Sequence, residues 1–385
     1  MTAPRNRKAT DEEILRLFEI HGTATPVARA LELTESSVRR RLHKLRRNGV
    51  LPESSGPVLP VTGRSTLVKS DGTIAMQWIK QNSNGRLSDE EVLAIVKDSF
   101  ADQLPVKRIA APVKRASDLL VVYPMGDPHI GMYAWAEETG ADFDLQIAEH
   151  NLVNAVRHLV QQAPPAKYAM VVNVGDFFHA DSMENRTMRS GHALDVDTRW
   201  AKVLRVGIRA MRACIEAALE KHDEVRVINE IGNHDDHTSQ MLTIALSLLY
   251  ENNPRVTFDE SPAKFHYHEF GKNLIGVTHG DKVKADKLSG IMATDRPAEW
   301  GRTRHRYWYT GHVHTRQVFE LAGCSVESFR TLAARDAWTA GAGYRSGRDM
   351  QMIALHKEHG EVSRARIDIS ILESLDGARR HKQEG

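Results

Sequence analysis

Cysteine is scarce in this sequence, whose 385 residues include only Cys214 and Cys324. Two cysteines so far apart cannot form a disulfide framework, and neither lies in a Cys-x-x-Cys pair, so cysteine-ligated zinc is not expected. No apolar run reaches the roughly 18 residues of a membrane span. The first residues, MTAPRNRKATDEE, also lack the apolar centre of a secretory signal. We therefore expect a reduced, cytoplasmic protein without membrane contact.

An excess of charge of one sign is also missing. The 52 lysines and arginines nearly balance the 50 aspartates and glutamates, for a formal net charge of +2. The average charge therefore says little about partners, and the local distribution says more. With 41% hydrophobic and 26% charged residues, the chain has the composition of a globular protein. Its length predicts two or three domains.

Residues 8–50 have the pattern of three short helices. A capping box at Thr10–Glu13 predicts the first helix start, because the threonine and glutamate side chains satisfy each other's backbone N–H groups. A threonine–proline pair marks the second start, and Val38 and Leu42 recur at the spacing of a buried helical face. This layout predicts a helix-turn-helix domain, whose last helix can enter the DNA major groove.

The last of these helices is basic on its outer face. No acidic residue lies between Ser36 and Val50, and such a face suits the phosphate backbone of DNA. The expected nucleic-acid contacts in this domain are Arg39, Arg40, Arg41, Lys44, Arg46 and Arg47. The alternative is a solvated helix face without a ligand.

Residues 51–117 are expected to connect this domain to the rest of the chain. Their first part is rich in proline, glycine and serine, which is typical of a linker. Asp71-Gly72 between two β-prone runs predicts a hairpin over 65–80, either as a wing on the DNA-binding unit or as a separate module. A short helix is expected over 88–101.

Residues 118–372 show strands alternating with long helices, the arrangement of a parallel α/β sheet. The first strands are expected over 119–123, 168–174 and 225–231, and the helices over 143–162, 195–221 and 239–252. Later strands are expected over 264–269, 273–278, 308–310, 326–329, 351–356 and 363–370. Residues 373–385 are expected to be a flexible tail.

Polar clusters follow several of these strands at the points where the strands end. They are DPH at 127–129, GD at 175–176, GNHD at 232–235, HGD at 279–281 and GHVH at 311–314. Because the carboxyl ends of strands in an open α/β sheet meet at one crevice, we expect the clusters to converge.

Carboxylate, amide and imidazole groups in this mixture suit a pair of divalent cations. Two cations about 3.5–4 Å apart need a bridging carboxylate together with neutral nitrogen and oxygen ligands. Such a centre hydrolyses phosphate esters with a metal-bound hydroxide and neutralises the charge on the phosphoryl oxygens.

In this order, the five motifs resemble those of the calcineurin-like metallophosphoesterases over residues 118–320. The resemblance implies a four-layer α/β/β/α sandwich, which here would follow the all-α N-terminal domain and the hairpin module. It also implies two divalent metal ions, with Mn²⁺ preferred over Fe or Zn²⁺. The whole chain further resembles metallophosphoesterases encoded by phages and prophages, which often carry such an N-terminal module.

The resemblance implies a role for each motif residue. The implied metal ligands are Asp127, His129, Asp176, Asn233, His279, His312 and His314. Asp176 would bridge the two metals. One metal would be held by Asp127, His129 and His314, and the other by Asn233, His279 and His312. His234 would be a catalytic non-ligand, either as proton donor to the leaving oxygen or as stabiliser of a phosphoryl oxygen.

The strings GDFFH and GNHDDH resemble the nuclease branch of this family, which includes the SbcD nuclease subunit. In that branch a histidine at the position of His179 assists exonuclease action, so His179 is implied as catalytic; a loop histidine without that role is the alternative. We expect a metal-dependent DNA phosphodiesterase, exonucleolytic or endonucleolytic. One alternative is a nucleotide or phosphoprotein phosphatase, although the arginine that phosphoprotein phosphatases carry after the second motif is absent. Another is a DNA-binding regulator with a structural phosphoesterase domain.

Basic and aromatic residues precede the last motif, in the string GRTRHRYWYT. We expect Arg304 and Arg306 to contact nucleic acid on the approach to the metal centre, while the alternative is the start of a core strand. A second, more scattered basic and aromatic set, including Trp338 and Tyr344, is the weaker candidate for substrate contact. Residues expected to support the ligands or cap helices are Asp181, Asp235, Asp236, His192 and His237.

DNA is therefore the expected partner. A homodimer stays open. A coiled-coil ATPase partner is not expected, because no long helical region follows residue 372.

Overall fold

A computed structural model describes residues 9–21, 27–28, 30–31, 33, 37–38, 41–42, 44–45, 61–68, 74–81, 109–113, 115–187 and 190–375. The chain divides into two compact units, Met1–Asn84 and Gly85–Gly385. The expected DNA contacts Arg39, Arg40, Arg46 and Arg47 lie outside the described residues. So do the linker residues 51–60, the helix expected over 88–101, and residues 376–385 of the tail.

The first unit contains helix α1 (Asp11–His21) and further helical residues at 27–28, 37–38, 41–42 and 44–45. The capping box is formed: Thr10 N–H donates to Glu13 Oε2 at 2.9 Å, and Glu13 N–H donates to Thr10 Oγ1 at 3.2 Å. Buried side chains including Ile14, Val38 and Leu42 form one small apolar cluster. The turn of the expected helix-turn-helix falls outside the described residues, so that domain stays a prediction.

A two-stranded antiparallel sheet follows in the same unit. Strand β1 (Val61–Val68) pairs with β2 (Ile74–Gln81), with Thr66 opposite Gln77. The sequence places a hairpin over 65–80, so the strands begin a few residues earlier than expected. Asp71-Gly72, the dipeptide that predicts the turn, lies outside the described residues.

The second unit is built on two sheets. The six-stranded sheet contains β3 (Ala116–Met125), β4 (Ala166–Asn173), β5 (Glu224–Asn229), β6 (Val256–Phe258), β12 (Asp349–His356) and β13 (Gly360–Asp368). Its order is β13-β12-β3-β4-β5-β6, and the four strands from β3 to β6 are parallel. Their register brings Met125, Asn173 and Asn229 side by side, so these strands end at one edge of the sheet.

The five-stranded sheet contains β7 (His266–Phe270), β8 (Asn273–Val277), β9 (His305–Thr310), β10 (Gln317–Leu321) and β11 (Cys324–Ser328). Its order is β10-β11-β9-β8-β7, and β8, β9 and β11 are parallel. Along β9 the side chains alternate between faces. Trp308 therefore packs in one apolar cluster and its neighbour Tyr309 in another.

Helices lie on the outer faces of the two sheets and in the loops that connect the strands. They are α2 (Ala136–Thr139), α3 (Leu145–Gln162), α4 (Trp200–Lys221), α5 (Thr238–Leu249), α6 (Ala285–Asp295), α7 (Pro297–Arg302) and α8 (Ala337–Gly341). One cluster joins α3, α4 and α5 to the six-stranded sheet, a second lies between the sheets, and a third joins α6 and α7 to the five-stranded sheet. The second unit is thus the expected four-layer α/β/β/α arrangement. None of the described helices is long and apolar enough to cross a membrane.

Candidate metal centre

The expected ligands lie in loops that follow the carboxyl ends of β3, β4, β5, β8 and β9. These strands belong to two different sheets, and the sheets are joined at the site by a hydrogen bond between His279 Nδ1 and the carbonyl oxygen of Val174, 3.0 Å away. A carbonyl oxygen can only accept, so Nδ1 carries the proton and Nε2 is the nitrogen left for a metal ion.

The backbone at the site is strained. Only six of the described non-glycine residues have positive φ angles, and five of them are expected ligands. These five are Asp127, His129, Asp176, His312 and His314, with φ of 42°, 46°, 49°, 69° and 52°. Such conformations cost free energy for residues with a Cβ and cluster at functional sites, where the surrounding structure imposes them.

The first group of ligand atoms comes from Asp127, His129 and His314, whose donor atoms all lie within 4.8 Å of one another. The Nε2 atoms of His129 and His314 are 3.0 Å apart, and His314 Nε2 is 3.8 Å from Asp127 Oδ1. The backbone N–H of His312 donates to both oxygens of Asp127, at 2.9 and 3.0 Å, and so fixes that carboxylate.

The second group comes from Asp176, His279 and His312, again with donor atoms within 4.8 Å. His279 Nε2 lies 3.1 Å from Asp176 Oδ2 and 3.1 Å from Asn233 Oδ1. The amide oxygen of Asn233 thus joins this group, as the sequence implies. A third set of neighbouring donor atoms comes from His129, His179 and His234. The assignment of the expected ligands to two metals, with Asp176 as the bridge, stays a prediction.

The protonation behaviour of these residues fits a cation site. Burial, followed by the influence of His234, lowers the pKa of His129 well below its usual value, and burial lowers the pKa of His314 to about 4. Both imidazoles are therefore neutral at pH 7, the form that binds metals. For His279, burial would lower the pKa, but the carboxylate of Asp176 raises it to about 10. Burial raises the pKa of Asp127 to about 8. Without a metal, retained protons offset the buried negative charge, and a divalent cation would replace them.

His234 lies beside the two ligand groups. Its backbone N–H donates to Asp176 Oδ1 at 2.8 Å, and its Nδ1 donates to the carbonyl oxygen of His179 at 2.9 Å. This arrangement leaves Nε2 for a bound phosphate. The ring stacks on that of His179, with centroids 5.3 Å apart and an interplanar angle of 23°.

His179 lies behind His129 and His234, almost fully buried. Its Nδ1 is 3.2 Å from His129 Nδ1, and its buried Nε2 has no hydrogen-bond partner among the described residues. Burial and then His234 lower its pKa to about 3. The structure therefore brings His179 into the cluster as a neutral imidazole in contact with His129 and His234, and its catalytic role stays a prediction.

Two buried carboxylates hold the loops that carry the ligands. Asp181 accepts hydrogen bonds from the backbone N–H of His237 and from the N–H and Oγ1 of Thr238, the latter two at 2.7 Å, at the start of α5. Asp235 accepts from the N–H groups of Gly232 and Phe178, both at 2.9 Å. Each carboxylate therefore ties the loop after β4 to the loop after β5.

The other residues expected to play supporting parts are more peripheral. Asp236 pairs with Lys264 at 3.0 Å, and His237 Nδ1 contacts Asp181 Oδ2 at 2.7 Å. His192 lines the cleft that opens onto the metal groups.

A buried ion cluster supports the same edge from behind. His266, at the start of β7, contacts Glu230 Oε2 at 2.8 Å and Asp259 Oδ1 at 3.3 Å. Burial would lower the pKa of His266, but hydrogen bonds to these two carboxylates raise it to about 9. The cluster joins the five-stranded sheet to the segment just before the GNHD motif.

The cleft above the metal groups has a volume of about 340 Å³. Besides the histidines, its walls include residues from two segments, 187 with 190–194 and 334–344. The second wall includes Trp338 and Tyr344, which the sequence analysis ranks as the weaker candidates. In the sequence, only the local basic and aromatic composition points to these two residues, because no spacing rule links them to the ligand motifs.

The structure does not bring Arg304 and Arg306 to the cleft. They lie at the amino end of β9, whereas the ligands follow its carboxyl end, so neither residue lines the metal cleft. A contact of the exposed Arg304 with nucleic acid stays a prediction. Arg306 packs over the ring of Trp300, 4.1 Å from its centroid, and donates to the carbonyl oxygens of Trp300 and Thr303. Arg306 thus closes the end of a core strand, the alternative that the sequence left open.

Two expected DNA contacts of the first unit are described. Arg41 donates through Nε to Asp11 Oδ1 at 2.7 Å and through Nη1 to the carbonyl oxygen of Ala9 at 2.5 Å. It therefore holds the start of α1 and is not free for phosphate. Lys44 is exposed.

Comparisons with known proteins give likenesses of fold only. No protein-family model matches the chain, and no curated protein matches it. Among solved structures, a predicted phosphoesterase from Streptococcus pneumoniae TIGR4 is similar at 12% identity and a TM-score of 0.28, over 66% of this chain and 99% of that one. Vps29 complexed with Zn²⁺ from Entamoeba histolytica is similar at 12% identity and a TM-score of 0.27, over 64% of this chain and 98% of that one.

A third solved structure, a 5'-nucleotidase from Candida albicans SC5314, is similar at 9% identity and a TM-score of 0.31. The match covers 67% of this chain and 54% of that one. At such values these likenesses say nothing about what this chain acts on, and a functional conclusion must rest on the site.

Proposed function

We propose that the chain is a metal-dependent phosphodiesterase that cleaves nucleic acid, with DNA as its substrate. The observation that carries the proposal is the pair of ligand groups, Asp127–His129–His314 and Asp176–His279–His312, held beside His234 at the edge where two sheets meet. This donor set suits two divalent ions of the Mn²⁺, Fe or Zn²⁺ kind. When bound, such ions supply an activated water and Lewis acidity toward a phosphoryl group.

The protein's own residues supply the rest of the reaction. The Oδ2 atom of Asp176 lies among the ligand atoms, beside His279 Nε2, and its Oδ1 atom accepts a hydrogen bond from the backbone N–H of His234. One carboxylate therefore orients both the ligand cluster and the proton donor. The Nε2 of His234 is placed to give a proton to the leaving oxygen or a hydrogen bond to a phosphoryl oxygen. His179 holds the His234 ring by stacking and by its carbonyl oxygen.

The step from phosphoester to nucleic acid is supported by resemblance and by charge. GDFFH and GNHDDH resemble the nuclease branch of the calcineurin-like family, and the segment from Ser36 to Val50 carries no acidic residue. A basic first unit would hold DNA through its phosphates. Delivery of DNA to the second unit is part of the proposal.

The test is a panel of metals and substrates on the wild type, His234→Ala and His150→Ala. His150 is an exposed histidine of α3 and serves as the matched control. The substrates are p-nitrophenyl phosphate, bis(p-nitrophenyl) phosphate, and linear single- and double-stranded DNA, each with Mn²⁺, Zn²⁺ and Mg²⁺. We expect DNA and the diester to be cleaved, and His234→Ala to lower kcat by about 10²–10⁴-fold with metal content unchanged.

Three results would count against the proposal. Faster turnover of the monoester than of either diester would favour a phosphatase. DNA binding without hydrolysis in any metal would favour a regulator with a structural phosphoesterase domain. Equal losses in His234→Ala and His150→Ala would remove His234 from the chemistry.

A further inference from the structure

An exposed aromatic pair lies in the wall of the metal cleft. The Trp338 side chain is 63% exposed and that of Tyr344 is 41% exposed. Their ring centroids are 5.9 Å apart, with an interplanar angle of 37°. Both residues line the same cleft as His129 and His234. An exposed tryptophan beside a catalytic cluster, with an aromatic neighbour, has the form of a binding surface rather than of a core contact.

The aromatic pair is held in place by its own segment. Asp336 caps the short helix α8, with Oδ1 accepting from the N–H of Thr339 at 2.8 Å. The backbone N–H of Tyr344 then donates to the carbonyl oxygen of Thr339 at 3.1 Å, which closes the segment into a compact loop. Trp338 and Tyr344 are thus presented to the cleft by hydrogen-bonded backbone, and little order has to be gained when a ligand binds.

A second, basic cleft of about 230 Å³ adjoins the first. The two clefts share His314, Thr339 and Tyr344 as lining residues, so Tyr344 stands on the boundary between them. Arg335 and Arg345 line the basic side and both donate to the carbonyl oxygen of Tyr344, at 3.3 and 2.7 Å. Among the described residues, no carboxylate lines this second cleft.

The three features adjoin one another: the metal ligands and the aromatic pair line one cleft, and the cations line the cleft beside it. A polynucleotide strand offers the matching series of a scissile phosphate, a flat base and the next phosphate. Stacking on an aromatic side chain requires a base that is not already stacked within a duplex. Cations next to a stacked base are the usual means by which proteins follow a single strand without reading its sequence.

We infer that Trp338 and Tyr344 form a stacking platform for the base next to the scissile phosphate, that Arg335 and Arg345 receive the neighbouring phosphate, and that the substrate therefore enters as a single strand. This inference rests on the proposed phosphodiesterase function and adds the strand preference and the subsite. It also gives a role to residues that lie outside the five ligand motifs.

The hydrolytic test compares two small diesters with the same leaving group. Thymidine 5'-(p-nitrophenyl phosphate) carries a base, whereas methyl p-nitrophenyl phosphate does not. We expect Trp338→Ala to lower kcat/KM for the thymidine diester by about 5- to 100-fold, the range for loss of one base–aromatic stack, and to leave the methyl diester unchanged. Trp338→Phe should retain most of the activity. Phe319→Ala, which removes an exposed aromatic residue on β10 outside both clefts, should change neither rate.

The binding test does not depend on turnover. The full-length chain is titrated with a fluorescently labelled five-nucleotide thymidine strand and with an abasic strand of equal length. Trp338→Ala should weaken binding of the first by about 5- to 100-fold and of the second not at all. Arg345→Gln should reduce the slope of log affinity against log salt by about 0.7 for both strands.

The outcomes separate this inference from the proposed function. Wild-type hydrolysis of both diesters without any selective loss in Trp338→Ala would overturn the platform and leave the phosphodiesterase standing. Selective loss of thymidine-strand binding in a chain that hydrolyses no diester would support the platform and sink the proposed reaction. Hydrolysis of blunt duplex as fast as of single strand, unaffected by Trp338→Ala, would also overturn the inference.

Discussion

A single methyl group added at Gly232 should disable the metal centre, because the backbone there runs against the carboxylate of Asp176. A Cβ at Gly232 would lie 1.9 Å from Asp176 Oδ1 and 2.3 Å from the Asp176 backbone nitrogen. Ordinary contact begins at 3.4 Å, so the carboxylate must retreat by about 1.5 Å, the difference between 3.4 and 1.9 Å. The φ angle at Gly232 is not in the left-handed region, so Gly232→Ala tests this contact and not backbone strain.

Asp176 has little freedom to retreat. Its Oδ1 accepts the backbone N–H of His234 at 2.8 Å, and its Oδ2 is 3.1 Å from His279 Nε2. A displacement of 1 Å at a reacting centre can cost about 100-fold in rate. We therefore expect Gly232→Ala to lower kcat/KM by at least about 100-fold and to weaken metal binding, while overpacking costs about 1–3 kcal/mol in the free energy of unfolding.

The assay measures hydrolysis of bis(p-nitrophenyl) phosphate with Mn²⁺, metal content after gel filtration, and thermal unfolding with and without a chelator. Gly290→Ala is the matched control. Gly290 lies within α6, and an added Cβ there meets nothing within 4 Å. This variant should keep full activity and gain about 0.5–1 kcal/mol of stability. If Gly232→Ala stays within about threefold of Gly290→Ala in kcat/KM, Asp176 does not act in the reaction as argued.

Three further predictions concern the supporting structure. The pKa of His266 is raised to about 9 from an unfolded value near 6.5, so its stabilisation is complete below pH 6.5 and lost as pH rises through 9. Measured by chemical denaturation, the free energy of unfolding of the wild type should fall by about 1–3 kcal/mol relative to that of His266→Gln between pH 6.5 and pH 9. Parallel plots of the free energy of unfolding against pH for the two proteins would exclude a stabilising role of the ion cluster. Asp181→Ala removes the cap of α5 and should lower the free energy of unfolding by about 1–3 kcal/mol, seen as a reduced denaturation midpoint. Lys44→Ala should reduce the slope of log duplex-DNA affinity against log salt by about 0.9. Arg41→Ala should instead lower the thermal unfolding midpoint and leave that slope unchanged. Equal slopes in wild type and Lys44→Ala would exclude a phosphate contact by Lys44.

Much of the second unit could be predicted from local pattern. The helix expected over 143–162 is Leu145–Gln162, and the strand expected over 119–123 lies within Ala116–Met125. Periodicity is a local property, so it survives folding wherever the segment has one buried face. The helix expected from 195 begins instead at Trp200. Residues before it are extended because Asp197 accepts the N–H of Leu145 and Val196 bridges to Met132.

Other elements were missed for a physical reason. Local pattern does not indicate α6 and α7, since their apolar residues become a face only when Trp308 and Leu274 of the five-stranded sheet lie beneath them. The position of β12 beside β3 could not be read either, because that pairing joins residues more than 200 positions apart. The place of Arg306 could not be read from its nearness in sequence to His312, because β9 separates the two residues in space.

For the site, the sequence by itself determined which donors are present and that each follows a strand, because strand ends and turn-forming glycines leave a local signal. Only the tertiary structure decided that these donors form two groups, that five of them adopt positive φ, and that Trp338 and Tyr344 face the same cleft. Those features depend on contacts between the two sheets and between loops far apart in the chain. No local preference of a histidine or an aspartate encodes such contacts, and the free energy of packing the whole second unit is what holds the strained residues in place.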